Sequence, residues 1–522
     1  MYSPTTSPRH AHPNAPACPP APRRYLYTRA DAWSTALIAL LALISRVSGL
    51  TLPTSQGTPV FDEKHYVPQA WDMVRSNANP LVGGIESNPG FGLVVHPPLG
   101  KQLLAVGEMV FGYTPAGWRV MTALFGVGVV LLVMELARRL SHSWLVGFIA
   151  GLLAVCDGVL LVGAKFGMLD IFQVFFITAA ALALAIDHEQ LRHRIHASYT
   201  AGYLATCGLG YRAGVRWWRF TAGVMLGLAV SVKWSGLYYM AFFGLLSVAL
   251  DAALRRRYGV RRPTSGALLL DAIPAFASLV IVPILLYAWS FRAWFASETS
   301  VYRHAAADGS IDANSWLHHL PDALAGWFYY HAQVLEFHSS LTSSSGNSHP
   351  WDSKPWSWLA ATRPVLYSSA SDIACADTTC RSAIYLFGTP PIWWLTVPVL
   401  CFATWRLLRG DRRYVIPLVA FAAGFLPWLA AFDRQMYFFY AMPLAPFTIV
   451  LLALATGDAI GHGRPRAWTR HLAGHVLTTG TFLAIVYVAS VVAAFFYWLP
   501  LFYGILVPDW YYWQLMWLPS WS

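Results

Sequence analysis

Long apolar segments recur along the whole chain, and they constrain its fold more than any other feature. A helix needs about 20 mainly apolar residues to cross the hydrocarbon core of a bilayer. Only helices and closed barrels satisfy every backbone hydrogen bond in lipid, and apolar runs of this length favour helices. We therefore predict an all-α, multi-pass membrane protein with about eleven transmembrane helices. The predicted spans lie near residues 33–52, 115–137, 143–157, 168–187, 217–234, 235–253, 266–290, 384–406, 415–432, 436–456 and 474–498.

The composition agrees with a membrane protein and argues against other classes. Hydrophobic residues make up 56% of the 522 residues and charged residues only 12%, whereas soluble domains carry roughly a quarter charged residues. This hydrophobicity argues against a disordered chain, and six cysteines are too few for a disulfide scaffold. Basic cytoplasmic loops explain the net charge of +11 better than nucleic-acid binding does, and no nucleotide-binding motif is present.

Arginines cluster in alternate connections between the predicted spans, and the positive-inside rule assigns those connections to the cytoplasm. The clusters are Arg138–Arg139, Arg192 with Arg194, Arg255–Arg257 with Arg261–Arg262, Arg409 with Arg412–Arg413, and Arg464 with Arg466 and Arg470. The N-terminal segment has no apolar signal-peptide core and belongs to the same side. The chain then divides into a disordered cytoplasmic tail, 1–32; an N-terminal catalytic module, 33–290, with a first outer loop, 53–114; a long extracytoplasmic loop, 291–383; and a C-terminal four-helix module, 384–522.

Ionisable residues are concentrated in the first outer loop, at the membrane surface, where such groups are functional candidates. Asp62 and Glu63 are adjacent in the string FDEKHY, which also contains His65. A solvated loop is the ordinary explanation of an Asp-Glu pair. A second polar string in the same loop, HPPLGK, carries His96 and Lys101 and favours a functional surface.

Several strings resemble the protein O-mannosyltransferase family, and they follow the family's order over nearly everything after residue 32. These strings are FDEKHY, HPPLGK, WRVMTALFG, KFGMLD, SVKWSGL, HPWDSKPWSW, FGTPPIWW and RQMY. The resemblance implies the type C glycosyltransferase architecture. It also implies inverting transfer of mannose from polyprenyl phosphate mannose to Ser or Thr hydroxyls of secreted or membrane proteins. The loop 291–383 is too short for the β-trefoil domain of fungal and animal members, so the chain resembles an actinobacterial-type, bacterial member.

The resemblance and the reaction chemistry together suggest roles for residues on the outer face. The catalytic candidates are Asp62 and Glu63, of which Asp62 is the expected general base because the acceptor hydroxyl loses its proton as it attacks. Glu63 is expected to bind the sugar or to orient the loop. Arg119 matches the family arginine that contacts the donor phosphate, and Lys233 and Arg434 are expected to add positive charge there. The other substrate-binding candidates are His65, His96, Lys101, Lys165, Asp170, His349 and Lys354.

The chemistry needs no cofactor or metal, because positive side chains are available to neutralise a single phosphate. A divalent cation could still be held by Asp62 and Glu63 with His65. Cys375 and Cys380 share the long outer loop, on the oxidising side of the membrane, where we expect them to form a disulfide.

Two other functions stay open at this point. A transferase of the same fold could deliver a lipid-linked sugar to a glycolipid or a cell-wall glycan, since fold alone does not define the acceptor. A polyprenyl-lipid flippase or transporter would instead need polar residues through the bilayer midplane, whereas the charges here gather at one face.

The expected partners are the polyprenyl phosphate mannose donor, Ser/Thr-containing secretory proteins, membrane lipids and the protein translocon, with no nucleic acid. The expected location is the bacterial plasma membrane, with a cytoplasmic N-terminus and an extracytoplasmic active site.

Overall fold

Helices dominate the protein, as its computed structural model shows for residues 19–77, 79, 82–86, 95–206, 208–346, 349–375, 378–462 and 478–522. Most of the predicted tail 1–32 lies outside the described residues, and so does the arginine cluster at 464–470. The long helices are α1 (Arg29–Val47), α2 (Glu63–Ser76), α3 (Leu99–Phe111), α4 (Pro115–Ser141), α5 (Trp144–Val155), α6 (Asp170–Thr200), α7 (Trp217–Val232), α8 (Gly236–Arg257), α9 (Pro263–Ser290), α10 (Asp322–Ser340), α11 (Pro390–Leu408), α12 (Arg412–Ala430), α13 (Phe438–Gly461) and α14 (Thr479–Tyr497). Short helices cover Gly158–Val162, Tyr203–Thr206, Arg292–Ala296, Trp316–His319, Pro355–Trp358, Leu499–Tyr503, Asp509–Leu515 and Pro519–Trp521.

The long helices match the predicted membrane spans. In the described part of the chain, nine helices are long and apolar enough to cross a membrane: α1, α4, α6, α8, α9, α11, α12, α13 and α14. Two shorter apolar helices, α5 and α7, coincide with the predicted spans at 143–157 and 217–234. The helical multi-pass fold is therefore confirmed, whereas the number of eleven spans stays a prediction.

Helices α6 and α13 form the centre of the bundle. In their most apolar windows 78% and 83% of the residues are buried, against 22–50% in the other seven candidate spans. The outer helices turn large apolar side chains such as Leu245, Ile273 and Leu285 outward. An apolar surface of this extent fits a bundle that is surrounded by lipid.

Two charged residues within predicted spans have polar partners inside the bundle. Arg46 of α1 is fully buried, and its guanidinium donates to the carbonyl oxygens of Ala154 (2.9 Å) and Val155 (3.2 Å) at the end of α5. Asp271 of α9 lies 2.7 Å from Arg255 at the end of α8. Charges inside a membrane protein normally face the bundle interior and pair there, so both positions are compatible with spanning helices.

A small antiparallel sheet in the long outer loop departs from the predicted all-α fold. Strand β1 (Val365–Cys375) pairs with β2 (Thr378–Leu386) as a hairpin, and β2 pairs with the short β3 (Val507–Pro508) near the C-terminus. The expected disulfide is present, joining Cys375 to Cys380 with 5.8 Å between their Cα atoms. The predicted span at 384–406 accordingly begins later, at Pro390, because residues 384–386 belong to β2.

The loop at residues 53–114 folds into two helices, α2 and α3, that pack on one end of the bundle. Helix α3 begins directly after Pro97 and Pro98, in agreement with the preference of proline for helix starts. Gly107 of α3 lies against α4, where an added Cβ atom would come within 2.3 Å of the Gly117 carbonyl oxygen. This close packing holds α2 and α3 on the bundle, and Asp62 occupies the position just before α2.

Candidate active site

Asp62 is positioned by a sharp turn at the start of α2. The preceding residue, Phe61, has a φ of +52°, a conformation that is strained for a bulky side chain. Its ring stacks on Tyr367 of β1 with centroids 4.3 Å apart, and Tyr367 also contacts Phe166 at 5.1 Å. The hairpin of the long outer loop therefore holds the turn that presents Asp62.

The neighbouring Glu63 anchors the same turn from behind. Its carboxylate receives two hydrogen bonds of 2.7 Å from Arg119, one of 2.7 Å from the Gly167 N–H and one of 3.2 Å from the Val60 N–H. Arg119 also donates to the carbonyl oxygens of Leu50 and Pro53. Both charged side chains are 0% exposed, so the pair lies away from solvent. Because Arg119 belongs to α4, the pair also links the Asp62 turn to that helix.

A cavity of about 340 Å³ lies between the start of α6, the start of α8 and the end of α12. Asp170 and Lys233 line it, with Lys233 Nζ 2.8 Å from Asp170 Oδ1. Gln173 supports this pair by donating to the Lys233 carbonyl oxygen at 2.9 Å. Asp62 lies within electrostatic range of Lys233, Asp170 and His349. The fold thus brings the Asp62 carboxylate and the Lys233 ammonium, which are far apart in the sequence, to the same edge of the cavity. We call this edge, with Asp62, Lys233 and Arg434, the rim.

Arg434 brings a second cation to the cavity, and His338 of α10 orients it. The guanidinium donates to the His338 carbonyl oxygen at 2.8 Å and to His338 Nδ1 at 3.1 Å. His338 Nε2 in turn lies 3.2 Å from the Val95 carbonyl oxygen, which requires the proton to be on Nε2. His96 lines the same wall, with its ring 5.8 Å from that of His338.

The ionisable groups of this rim are tuned by burial. Burial raises the pKa of the Asp62 carboxyl, although His65 and Lys233 act in the opposite direction. Burial lowers the pKa of His96 well below its ordinary value and lowers the pKa of His338 to about 4. Both imidazoles are therefore neutral at pH 7, while the Asp62 carboxylate is a stronger base than an exposed aspartate.

The remainder of the cavity is aromatic and apolar. Trp234, Tyr238, Trp428 and Tyr440 line it, together with Leu335. Aromatic faces suit the apolar faces of a sugar ring or an isoprenoid chain, whereas the charged rim suits a phosphate. The cavity is amphipathic in the way that a lipid-linked sugar requires.

Other predicted site residues lie outside the cavity wall. Lys101 pairs with Glu86. Lys165 donates to the Ser48 carbonyl oxygen at 2.8 Å and lies over the Tyr503 ring at 3.6 Å; burial and the nearby Arg119 lower its pKa to about 7.

The motif HPWDSKPWSW contacts and supports the loop that carries Arg434. Lys354 Nζ donates to the Arg434 carbonyl oxygen at 2.9 Å and lies 3.1 Å from Asp352. The His349 ring packs edge-on against Tyr437, with centroids 5.1 Å apart. This motif therefore supports the cation at the rim from outside the cavity.

The donor set that could have held a divalent cation does not form. Each Glu63 oxygen already accepts hydrogen bonds from Arg119 and a backbone N–H, and His65 is exposed. Within the ranges described above, no three His, Cys, Asp or Glu side chains cluster in a way that could hold a metal ion.

Several cavity residues were not singled out from the sequence. Gln173, Trp234, Tyr238, Trp428, His338 and Tyr440 all line the wall. Trp234 follows Lys233 in SVKWSGL and was open to prediction from that motif. His338 lies in no recognisable motif, because its role depends on α10 folding back over the bundle.

Comparison with known families agrees with this geometry. Residues 116–297 match the family described as dolichyl-phosphate-mannose-protein mannosyltransferase, and residues 323–521 match the C-terminal four-TMM region of protein-O-mannosyltransferase. A polyprenol-phosphate-mannose–protein mannosyltransferase of Corynebacterium glutamicum is 61% identical over 505 residues, or 96% of each chain. A Mycobacterium tuberculosis protein of the same name is 47% identical over 491 residues, covering 93% of this chain and 91% of the relative.

Two solved structures share the fold. The Saccharomyces cerevisiae protein O-mannosyltransferase Pmt1-Pmt2 complex, bound to its sugar donor, matches with a TM-score of 0.70 at 14% identity over 95% of this chain and 93% of the other. ArnT from Cupriavidus metallidurans, bound to undecaprenyl phosphate, matches with a TM-score of 0.51 at 15% identity over 91% of this chain and 76% of the other. These matches confirm the type C glycosyltransferase architecture. Together with the sequence matches over nearly the whole chain, they show that the protein belongs to the protein O-mannosyltransferase family.

Proposed function

We propose that the protein transfers mannose from polyprenyl phosphate mannose to Ser and Thr hydroxyls of secreted or membrane proteins. The observation that carries this proposal is that the Asp62 carboxyl lies within electrostatic range of Lys233 and Asp170, which line a cavity that combines two cations with aromatic walls. The cations suit the donor phosphate, and the aromatic and apolar surface suits the sugar and the first isoprene units. The names of the relatives in Corynebacterium glutamicum and Mycobacterium tuberculosis support the same donor and acceptor.

In this proposal Asp62 acts as the general base. The acceptor oxygen forms a bond to the anomeric carbon of mannose while its proton passes to the Asp62 carboxylate. The bond from that carbon to the phosphate oxygen breaks with its electron pair, so polyprenyl phosphate leaves and the anomeric configuration inverts. The Asp62 carboxylate accepts no hydrogen bond from any described residue, which leaves its oxygens available to an acceptor hydroxyl.

The developing charge on the leaving phosphate falls to Lys233 and Arg434, which line the cavity. For Arg119 we propose a role other than the phosphate contact that the resemblance implies. Its donors are directed to Glu63 and to loop carbonyl oxygens, so we assign it, with Glu63, to positioning the Asp62 turn. Lys101, Lys165 and Lys354 also act as positioning groups for the outer loops.

The direct test incubates membranes containing the protein with radiolabelled polyprenyl phosphate mannose and a Ser/Thr/Pro-rich peptide. We expect label in the peptide, and we expect Asp62→Asn to reduce the transfer by about 10²–10⁴-fold, as for loss of a general base. Asp72→Asn is the matched control, because Asp72 lies on the same helix and pairs with the exposed Arg75. Label only in glycolipid, or movement of the donor across the membrane without transfer, would contradict the proposal.

We also propose that the site faces the outside of a bacterial plasma membrane and that the N-terminus is cytoplasmic. The arginine-rich ends of α4, α8 and α11 lie opposite the cavity along the helices, in agreement with the positive-inside rule. An acceptor leaving the protein translocon on the outer side would meet the Asp62 rim while still extended. Site-specific crosslinking between the rim and a stalled secretory chain tests this association.

A further inference from the structure

A second cavity, of about 520 Å³, lies at the other end of the bundle from the proposed active site. It is bounded by the ends of α4, α6 and α8 and by the turn before α12. Its position follows from α6, which carries Asp170 of the first cavity and His188 of the second. These residues are 18 positions apart, or about 27 Å at 1.5 Å per residue, which is close to the thickness of the hydrocarbon core. We call this second cavity the arginine pocket.

Five arginines line the arginine pocket, and two of them are already neutralised. Arg139 lies 2.7 Å from Glu135 and 3.3 Å from Glu189. Arg413 lies 2.6 Å from Asp411 and 2.7 Å from Asp458. Glu189 and Asp411 are the acidic residues that line the pocket, and both are committed to these pairs. Neither carboxylate forms an ion pair with the other three arginines, although Glu189 lies within electrostatic range of Arg192.

Those three arginines converge from three different elements. Arg192 extends from α6, Arg257 from α8 and Arg412 from the start of α12, and each is within electrostatic range of the other two. None of the three donates a hydrogen bond or forms an ion pair with any residue that the structure describes. His188 lies among them, with its Nδ1 atom buried and without a described partner.

The positive-inside rule alone does not explain this arrangement. The rule is satisfied by arginines anywhere in a cytoplasmic connection. Arg256, Arg261 and Arg409 are exposed in such connections and do not line the pocket. Arg257 and Arg412 are exposed, so water screens part of the repulsion among the three charges, and a bound anion would offset what remains. Guanidinium groups bind phosphate oxygens in pairs, and several arginines from separate helices can surround one phosphate.

We propose that the arginine pocket is a binding site for a phosphate group, independent of the proposed transferase site. The group comes either from the headgroup of an anionic membrane lipid or from a soluble phosphate. A lipid headgroup would reach the pocket at the level of the bilayer surface, where one end of the bundle meets the membrane interface. The ligand would link the ends of α6, α8 and α12 and stabilise their packing.

The experiment compares two triple variants of the full-length purified protein. Arg192→Gln/Arg257→Gln/Arg412→Gln removes the three pocket charges, and Arg256→Gln/Arg261→Gln/Arg409→Gln removes three charges outside the pocket. In the lipid arm, native mass spectrometry counts phosphatidylglycerol and phosphatidylcholine molecules that the protein retains from equimolar mixtures. In the soluble arm, inorganic phosphate is titrated in a phosphate-free detergent while the thermal unfolding midpoint is recorded.

We expect the wild type and the control variant to favour phosphatidylglycerol, to be stabilised by inorganic phosphate, or both. The pocket variant should lose about tenfold or more of that binding, since charge-assisted hydrogen bonds are removed. Selective loss in the lipid arm identifies a headgroup, and loss confined to the soluble arm identifies a free phosphate. Equal behaviour of the two triple variants in both arms would overturn the proposal.

The three single variants guard against misfolding of the pocket triple. Arg192→Gln, Arg257→Gln and Arg412→Gln should each weaken the binding by a smaller factor than the triple does. Mannosyl transfer in membranes should persist in all of them, because the pocket lies about 27 Å from the proposed active site. Single variants that bind like the wild type would count against the site, whatever the triple does.

Discussion

The surroundings of the Asp62 carboxyl group bear on the general-base role that we propose for it. Burial raises its pKa above the ordinary aspartate value of about 3.9. Loss of solvation destabilises the carboxylate relative to the neutral acid, and the nearby His65 and Lys233 offset only part of this effect. A carboxylate with a raised pKa accepts a proton more readily, which is the property that a general base needs.

The pH dependence of the reaction should reflect this shift. The carboxylate is the active form, so activity should fall as the pH decreases through the raised pKa of Asp62. We expect the acidic limb of kcat/KM for the acceptor peptide to lie above the range of an ordinary aspartate, at about 3.9. The measurement is a pH profile in reconstituted membranes with saturating donor. A profile that stays flat to pH 4 would contradict the assignment of Asp62.

For Glu63 and Arg119 we propose the opposite case, in which two charged groups position the Asp62 turn through their buried ion pair. Both side chains are fully buried, so Glu63→Gln leaves the Arg119 charge uncompensated. We expect this change to lower stability by about 3–5 kcal/mol, as for breaking other buried ion pairs. The measurement is the thermal unfolding midpoint in detergent, taken together with donor KM.

The double variant Glu63→Gln/Arg119→Met is the control for this pair. It removes both charges, so the unfolding midpoint should recover part of the loss while the transfer rate stays low, because the Asp62 turn is no longer tied to α4. If Arg119 contacts the donor phosphate instead, Arg119→Lys should raise the donor KM with little change in the unfolding midpoint.

At the level of elements, the hairpin β1–β2 is the least expected part of the fold. It reaches the site through Tyr367, whose ring stacks on Phe61 at the strained turn before Asp62. The loop 291–383 thus contributes to the site in two ways: through this contact and through His338 of α10. Loops of a transferase frequently carry function while the bundle supplies rigidity.

Tyr367→Ala tests the importance of the hairpin contact. Removing a buried aromatic ring costs about 3–5 kcal/mol, and it leaves the Phe61 turn free to relax and move Asp62. We expect lower kcat as well as a lower unfolding midpoint. Tyr367→Phe is the matched control, because the Tyr367 hydroxyl is buried and has no hydrogen-bond partner in the described part of the chain. An activity loss in Tyr367→Phe equal to that in Tyr367→Ala would show that the hydroxyl, rather than the ring, matters.

For the whole molecule, the two cavities define two ends of one bundle. The rim with Asp62, Lys233 and Arg434 lies at one end, and the arginine pocket lies at the other. The polarity of the protein in the membrane therefore decides which cavity meets secreted proteins.

Cysteine labelling in intact cells tests this polarity. In a variant whose Cys18, Cys207 and Cys401 are serine, Lys64→Cys should react with a membrane-impermeant maleimide from outside, because Lys64 is exposed beside Asp62. Arg256→Cys, exposed at the end of α8, should react only after permeabilisation. The reverse labelling pattern would indicate the opposite orientation in the membrane and would contradict an extracytoplasmic active site.

Much of the architecture was predictable because a bilayer constrains the composition of each segment that crosses it. A backbone that crosses lipid must satisfy its hydrogen bonds within each segment, so every span carries its own apolar signal of about 20 residues. The shorter helices α5 and α7, with 12 and 16 residues, were recognised because they are mainly apolar. The hairpin was missed because its strands carry no comparable apolar signal.

The roles of the charged residues could not be read in the same way. Motifs placed Asp62, Glu63 and Arg119 at the outer face, and only the folded chain separates an available carboxylate from a buried pair whose partners lie 56 residues apart. His338 reaches Arg434 across 96 residues by the folding of α10. The tendency of a segment to enter lipid depends on that segment's own apolar residues. The ion pairs, the burial and the pKa of a charged side chain depend instead on which distant residues become its neighbours in the folded chain.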